Sequence, residues 1–321
     1  AIGENPIDAY AALFRGAFDG ELRLGTTLAG FTPLLLTSIA FAVAAKAGAF
    51  NVGVEGEVFL GGITAAYIGI NWTFLPKPAL YVACFVGAMV VAAAWALIPA
   101  VLRAYYNVNE VCTTILMNTV ALYITSYLVS GPMSAGTANA QSLPVTVRLY
   151  QFMKPSSVNV GIFIAAITVI VIIFMLQKSS WGYKIRTVGL NPTHADYVGI
   201  DSKKVFVGAM MLSGMLGGMA GCIEVLGVHG YFLNNFATGL GSNGMLAALI
   251  VKNNMVSTPF MAFFLAVLKS GAMGMQQSTG VPKSLVDTIT AVFIIIATME
   301  TAFQFTKKRK KKTEEKKEDK A

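Results

Sequence analysis

The sequence predicts an all-α polytopic membrane protein with about eight or nine membrane-spanning helices. Of its 321 residues, 55% are hydrophobic and only 12% are charged, whereas a soluble domain carries about 25% charged residues. The apolar residues gather in eight long stretches, each near the ~20 residues with which a helix crosses the hydrocarbon core of a bilayer. Short polar breaks separate these stretches. These observations exclude a water-soluble globular domain.

The predicted spans follow one another along almost the whole chain. They cover 28–49, 55–71, 77–102, 111–130, 158–177, 204–226, 257–275 and 285–305. The apolar segment 241–252 is too short to cross the bilayer, and it is predicted to be re-entrant or to lie within a cavity. The resulting organisation is an extracytoplasmic segment at 1–27, a transmembrane domain at 28–305 and a basic tail at 306–321.

Positive charge indicates which side of the membrane each connection occupies. The net charge is +8, and nine of the 24 basic residues lie between Lys307 and Lys320. Because short loops rich in Lys and Arg stay in the cytoplasm, the tail and the loop 178–203 are expected inside, and the irregular loop 131–157 outside. A tail beside an anionic leaflet, or a merely solvated tail, explains this charge without a nucleic-acid partner.

The sequence lacks the patterns of a catalytic or metal site. Its three cysteines and two histidines form neither a Cys-x-x-Cys pair nor a zinc-like cluster, and it has no convincing nucleophile–base set. Residues 239–244 match G-x-G-x-x-G, but no strand precedes them. Because the phosphate-binding pattern G-x-x-x-x-G-K-[ST] is absent, we expect no ATP hydrolysis by this chain. With no metal-like cluster either, we expect it to hold no metal and no cofactor.

The polar break at 49–57 is the most informative segment of the sequence. It interrupts an apolar tract with one asparagine, two glutamates and two glycines. Broken backbone at membrane depth is tolerated only where protein or a water-filled cavity covers it. Asn51, Glu55 and Glu57 are therefore candidates to line the path of a polar solute, and we assign Asn51 and Glu55 to the site. Two alternatives stay open: Glu55 caps the following helix and suits its dipole, or both glutamates end in water at a helix terminus.

A second polar group begins the span at 111–130. Its members are Asn109, Glu110, Thr114 and Asn118. The last three are spaced by four residues and share one helix face, and a polar stripe in a membrane helix faces a cavity or another helix. The group is predicted to line or shape the same path. Hydrogen bonding between helices, without any ligand, is the alternative.

The loop 178–203 is predicted to contain a short helix. Asn191 is suited to cap this helix, Pro192 fits its first turn, and Gly199 is suited to end it. A short helix on the cytoplasmic face is a plausible docking element for a soluble partner. A plain connecting loop is the alternative.

Small residues recur in the span at 204–226. The pairs Gly214/Gly218 and Gly217/Gly221 are each four residues apart, a spacing that allows close packing of helices in lipid. We assign these glycines to helix packing and give them no ligand. Glu224, one turn later, is a candidate buried acid.

Four motifs occur in one order along the chain. They are FNVGVEGE at 50–57, NEVCTT at 109–114 with Asn118, RTVGLNP at 186–192 with 199–200, and the pairs 213–214 and 220–221. Over about residues 1–305 this order resembles the membrane permeases of ATP-binding-cassette (ABC) importers for simple sugars and nucleosides. It is most similar to the nucleoside-uptake branch that is served by a basic-membrane-protein-type binding lipoprotein.

The resemblance implies partners and roles for particular residues. Such permeases work in pairs, often as heterodimers, with a cytoplasmic ATPase that holds ATP and Mg²⁺ and an extracytoplasmic lipoprotein that delivers substrate. The ATPase binds the inside loop, which makes the following residues coupling candidates: Asn191, Pro192, His194, Ala195, Asp196 and Gly199. Family members begin with one further span, so we expect a segment ahead of residue 1. Glu57 stands where many relatives carry glutamine.

The sequence therefore predicts a permease subunit that moves nucleosides across the cytoplasmic membrane of a bacterium, with its C-terminus inside and no catalysis of its own. A permease for ribose-like sugars is one alternative. A second is a proton-coupled secondary carrier that uses intramembrane acids such as Glu110 and Glu224. A membrane-embedded enzyme or scaffold is a third.

Overall fold

The computed structural model describes residues 6–279 together with residues 284 and 288, and in this part of the chain the regular structure is helical. The helices are α1 (Pro6–Phe18), α2 (Gly20–Lys46), α3 (Val54–Asn71), α4 (Lys77–Tyr106), α5 (Glu110–Ser130), α6 (Gly161–Lys178), α7 (Ser180–Leu190), α8 (Pro192–Tyr197), α9 (Ser202–Ile223), α10 (Leu240–Ile250) and α11 (Thr258–Thr279). A π-helical turn, Glu224–His229, continues α9. Except for residue 288, the predicted span 285–305 and the tail 306–321 lie outside the described residues.

Six of the described helices are long and apolar enough to cross a membrane. They are α2, α4, α5, α6, α9 with its π-helical turn, and α11. The prediction of an all-α polytopic membrane protein is thereby confirmed. The predicted span at 55–71 is α3. It is not among the six, because its two glutamates and its terminal asparagine lower its mean hydropathy. The short apolar segment at 241–252 is α10, whose 11 residues extend only about 16 Å.

The first predicted span, 28–49, differs most from the structure, because α2 begins well before residue 28. The first turn of α2 is exposed, but two turns later the helix is fixed to the end of α1, since Thr27 is buried and its hydroxyl donates to the backbone oxygen of Ala17 at 2.9 Å. Helix α1 packs along α11 through the buried side chain of Leu13. The residues predicted as an extracytoplasmic segment therefore contribute helices to the bundle.

The connections between helices gather at two ends of the bundle. At one end Gly48 approaches Gly189, and Arg103 Nε lies 3.1 Å from Glu110 Oε2. We call this the basic end because of the cationic residues in its helix termini and connections: Lys46, Arg103, Lys178, Lys184, Arg186, Lys203, Lys204 and Lys252. The topology drawn from charge grouped these connections on one side, and the geometry agrees with it. That this side is the cytoplasm stays a prediction.

An extended strap, residues 141–151, crosses the opposite end. Three of its backbone N–H groups donate at 2.9 Å to the π-helical turn and the segment after it: Ser142 to Phe232, Val145 to Gly230 and Leu149 to Leu226. The guanidinium group of Arg148 donates to the backbone oxygen of His229 at 2.5 Å. The loop predicted to be irregular is thus without a strand, yet its backbone is bonded to the end of α9.

Helix α9 packs against α3 and α4 through a glycine seam formed by Gly214, Gly217, Gly218 and Gly221. A Cβ atom added at Gly214 would lie 2.7 Å from the backbone oxygen of Ala92 in α4, and one at Gly217 would lie 2.8 Å from Glu57 Cβ in α3. Similar additions would meet the backbone oxygens of Ala88 for Gly218 and of Val58 for Gly221. The seam holds three backbones so close that a larger residue must displace a helix.

We predict that Gly221→Ala destabilises the protein by about 1–3 kcal/mol, the usual cost of overpacking a well-packed site. The control is Gly30→Ala, which places the same methyl group on α2 where no atom lies within 4 Å. It should not destabilise the protein, because alanine favours a helix more than glycine does. Thermal unfolding in detergent, followed by size-exclusion chromatography, measures both variants. Equal melting temperatures for the two would contradict the close approach at the seam.

Candidate functional site

The connection between α2 and α3 enters the bundle instead of stopping at its surface. In this connection Asn51 contacts Ser213, and Glu57 in the first turn of α3 lies against Gly217. Ser213 and Gly217 lie near the middle of α9, which has 22 residues. The polar break is therefore covered by protein, as broken backbone at membrane depth must be.

Asn51 holds the break together. Its Nδ2 donates to Glu57 Oε1 and to Ser213 Oγ, both at 2.9 Å, and its Oδ1 accepts from the backbone N–H of Gly53 at 2.9 Å. Asn51 and Ser213 are 0% exposed and Glu57 is 1% exposed. The alternative that both glutamates end in water is therefore wrong for Glu57. In this structure Asn51 shapes the turn and presents no surface to solvent.

Glu57 is a member of this buried group that the sequence assignment omits. Its Oε1 is bound by Asn51, whereas its Oε2 is buried and has no hydrogen-bond partner among the described residues. Oε2 lies against Gly217, where a Cβ atom would come within 2.8 Å of it. The space for this carboxyl group thus depends on a glycine that is 160 residues away in the chain. Only the packing of α3 on α9 reveals the connection.

Glu55 lies where the first turns of two helices meet. It belongs to the first turn of α3 and is only partly buried, and Ser242 Oγ donates to its Oε2 at 3.3 Å. Ser242 lies in the first turn of α10, which follows the left-handed residue Gly239 (φ +80°). Gly241 lies against the backbone of Glu55, and Gly244 against α2. The glycines of the G-x-G-x-x-G match therefore serve the close packing of a short helix.

The first turn of α10 contains N–H groups without a partner. Among the described residues, Leu240 N–H donates to the backbone oxygen of Ala237 at 2.9 Å, whereas no hydrogen bond involves the N–H groups of Gly241 and Ser242. The initial N–H groups of a helix have no partner within it, and they give this end a partial positive charge. Broken helices of membrane transporters present such ends to polar solutes near the middle of the bilayer. The sequence assignment missed Ser242. The signals that pointed to it were the short apolar segment and the glycines in front of it.

The polar stripe on α5 faces α3. Asn118 Nδ2 donates to a backbone oxygen just before α3, and its Oδ1 accepts from a backbone N–H in the first turn of α3, both at 2.8 Å. Thr114 is buried, and its hydroxyl donates to the backbone oxygen of Glu110 at 2.7 Å. Asn109 caps α5, and Glu110 pairs with Arg103. These contacts support the alternative of hydrogen bonding between helices, so the stripe shapes the wall beside the break.

The short helix of the loop 178–203 is α8. The Oδ1 atom of Asn191 accepts from the backbone N–H of His194 at 3.0 Å, and Pro192 is the first residue of the helix. Gly199 follows with φ +80°, a left-handed conformation that favours glycine. The capped helix and its glycine stop are built as the sequence predicts.

Helix α8 is bonded to the start of α9. The carboxylate of Asp196 accepts from the backbone N–H of Ser202 at 3.0 Å and from its hydroxyl at 2.9 Å. Ala195 is buried, whereas His194 is exposed and Tyr197 is 86% exposed. Helix α8 therefore presents an outer surface while its other side is fixed to the bundle.

The part of the chain that the structure describes has no group of three or more His, Cys, Asp or Glu residues placed to hold a metal ion. His229 Nε2 lies 3.6 Å from Glu224 Oε2. The three cysteines are free, with Cys112 exposed and the other two buried.

We predict that Asn51→Ala lowers the free energy of unfolding by about 3 kcal/mol, because it leaves the buried Glu57 carboxyl group without its hydrogen-bond donor. Asn139→Ala, in an exposed loop, is the matched control and is expected to be neutral. Glu57→Gln is expected to be tolerated, since a neutral amide is cheaper to bury. Thermal unfolding of the three variants tests this. An Asn51→Ala protein as stable as the control would show that the network contributes nothing.

Comparison with known proteins identifies the family. The model of the family described as branched-chain amino acid transport system / permease component matches residues 23–298. The guanosine ABC transporter permease NupP of Bacillus subtilis is 32% identical over 97% of this chain and 90% of its own length. The glucose ABC transporter permease TsgB13 of Haloferax volcanii is 32% identical over 92% of the chain and 81% of its own length.

A third relative is the nucleoside ABC transporter permease NupB of Lactococcus lactis, which is 30% identical over 92% of this chain and 84% of its own length. No solved structure matches the chain. The family match covers the break, the stripe on α5, α8 and the glycine seam, and it confirms the resemblance drawn from the motifs. The chain belongs to the family of permease components described as branched-chain amino acid transport system / permease component.

Proposed function

We propose that this chain is the permease subunit of an ABC importer that moves nucleosides across the cytoplasmic membrane of a bacterium, with its C-terminus in the cytoplasm. Family membership and similarity to guanosine and nucleoside permeases support the proposal. ATP and Mg²⁺ are bound on a separate ATPase subunit, which hydrolyses the ATP. A second, related permease subunit forms a heterodimer with this chain, and an extracytoplasmic lipoprotein delivers the nucleoside.

The observation that carries the proposal is the meeting of Glu55 and Ser242 within the apolar bundle. A carboxylate accepts hydrogen bonds, while a hydroxyl and the free N–H groups of a helix start also donate them. The hydroxyl groups of a ribose require this mixture of donors and acceptors. A partly exposed pair separated by 3.3 Å suits brief contacts during passage better than tight retention.

An aromatic cluster beside this pair favours a nucleoside over a simple sugar. Phe59 lies one turn after Glu55 and on the same face of α3. The Phe59 ring packs edge-on against Phe236 with 5.7 Å between centroids, and Phe236 also contacts Phe232 at 5.1 Å. Phe236 is only partly buried. A nucleobase gains from stacking on an aromatic side chain, whereas a glucose-like sugar offers no planar ring.

Helix α9 provides a physical route from the ATPase to this region. In the proposal, closure of the ATPase subunits moves α8, which is bonded to the start of α9 through Asp196 and Ser202. Along α9 the glycine seam and Ser213 contact α3, α4 and the break. A displacement of α8 is therefore transmitted to the Glu55 region by rigid packing.

In proteoliposomes that contain the complete importer, we expect ATP-dependent uptake of radiolabelled guanosine, adenosine or uridine that an excess of ribose or glucose does not compete away. Glu55→Gln and Ser242→Ala are each expected to reduce this uptake by about tenfold, the value of one hydrogen bond to a charged group. Glu21→Gln, an exposed glutamate at the start of α2, is the matched control.

Several outcomes would reject this assignment. If ribose or glucose suppresses the uptake as well as unlabelled guanosine does, the importer is a sugar permease. If uptake survives removal of the ATPase but collapses with a proton uncoupler, the chain is a secondary carrier. If Glu55→Gln and Glu21→Gln transport equally well, Glu55 has no part in the path.

We predict that Gly199→Val weakens the binding of the ATPase while the chain still inserts and folds, because a β-branched residue cannot hold φ +80° and α8 must shift. Gly136→Val is the matched control: it also replaces a left-handed glycine with no neighbour within 4 Å (φ +69°), but at the opposite end of the bundle. Pull-down of the ATPase measures both. Retention of the ATPase by the Gly199 variant would remove α8 as the coupling element.

A further inference from the structure

A cavity of about 410 Å³ opens at the basic end of the bundle. It lies among the ends of α2 and α6, helix α7 and the connection that follows α10. Its lining consists of Lys46, Leu176, Gln177, Arg186, Val251, Lys252, Asn254 and Met255. None of these residues belongs to the break at 49–57 or to α8, so the proposed solute path and coupling element leave the cavity without a role.

The lining of this cavity is positively charged. Lys46, Arg186 and Lys252 line it, and its lining contains no carboxylate. Within the part of the chain that the structure describes, the ion pairs involve other residues. The guanidinium group of Arg186 donates to the backbone oxygen of Leu176, and a guanidinium has five N–H donors, more than this contact uses. Three cations around one space attract an anion.

The connection after α10 is bent so that it forms one wall of this cavity. Lys252 and Asn253 both have left-handed backbones, with φ +54° and +57°. Asparagine tolerates this conformation, but lysine is strained in it. Strain of this kind persists where the surrounding structure enforces it, and it concentrates at ligand sites and switch regions.

An exposed apolar stripe on α6 leads away from the cavity. Gln177 lines the cavity, and Phe174 and Ile170 lie three and seven residues before it on the same helix face. These two side chains are 67% and 66% exposed. The lining itself also includes Leu176, Val251 and Met255. A ligand that fills this site has a charged end in the cavity and an apolar end along the stripe.

We propose that this cavity binds the headgroup of an anionic phospholipid, whose acyl chains lie along the exposed stripe of α6. Basic cavities between membrane helices on the cytoplasmic side bind such headgroups, and the orientation proposed above places the basic end in that leaflet. Free inorganic phosphate shares the anionic chemistry but would make no use of the stripe. The bound lipid joins the ends of α2 and α6 and helix α7 to the start of the α10–α11 connection.

The test measures the melting temperature of the purified full-length chain in detergent during titration with phosphatidylglycerol, phosphatidylcholine or inorganic phosphate. We expect saturable stabilisation by phosphatidylglycerol alone. In the double variant Lys46→Gln/Lys252→Asn, the apparent Kd for phosphatidylglycerol is expected to rise by about tenfold or more. Asparagine suits the left-handed position 252, which keeps the variant foldable.

The matched control is Lys184→Gln/Lys203→Gln, which removes the same charge from exposed positions of the basic end outside the cavity; its Kd should stay within about twofold. Lys46→Gln and Lys252→Asn are also measured singly, and each should give part of the effect. Equal loss of affinity in both double variants would overturn the proposal, because it indicates a diffuse surface charge effect. Stabilisation by inorganic phosphate equal to that by the lipid would assign the cavity to a free anion. Unchanged lipid affinity together with weaker ATPase pull-down in the cavity variant would assign it to an acidic segment of the ATPase.

Discussion

The close approach of α9 to α3 and α4 is the constraint on which the rest of the structure depends. Without side chains at Gly217 and Gly221, α3 lies close enough for Glu57 to be buried against α9. Ser213, on the same helix, then reaches Asn51 and closes the turn between α2 and α3. The polar break can therefore exist inside an apolar bundle, because protein groups replace the water that its backbone and side chains would otherwise require.

This arrangement separates two kinds of polar residue that look alike in the sequence. Asn51 and Asn118 bond the backbone around the start of α3, and Asn51 also bonds one carboxylate oxygen of the buried Glu57. Glu55 and Ser242 retain exposed surface. A transporter needs both kinds, since a wall must be rigid before a few of its groups can face a moving solute. Asn51 and Glu57 are buried and Ser242 is exposed, but Asn118 and Glu55 are both partly buried. Hydrogen bonds to the backbone of the break distinguish Asn118 from Glu55, where residue type and burial do not.

Much of the fold follows from local sequence signals. The existence of most spans, the capping of α8 by Asn191 and the small-residue pattern of α9 each depend on a few neighbouring residues, and the described part of the chain shows all three. The early start of α2 was not predictable, because its polar first turns are stabilised by contacts with α1. Ser242 escaped the sequence assignment for a related reason: its significance comes from Glu55, which is far away in the chain and adjacent only after folding. The basic cavity likewise combines residues of four separate elements.

The strap across the opposite end has a consequence for how a soluble protein meets this membrane protein. Its backbone is already bonded to the π-helical turn and the residues beyond it, so most of its conformational entropy was lost when the chain folded. A soluble protein that binds the strap does not have to order a flexible loop. The entropic cost of such ordering weakens many protein associations. The strap can therefore support a short-lived complex with a small contact area, which suits a partner that binds and dissociates repeatedly.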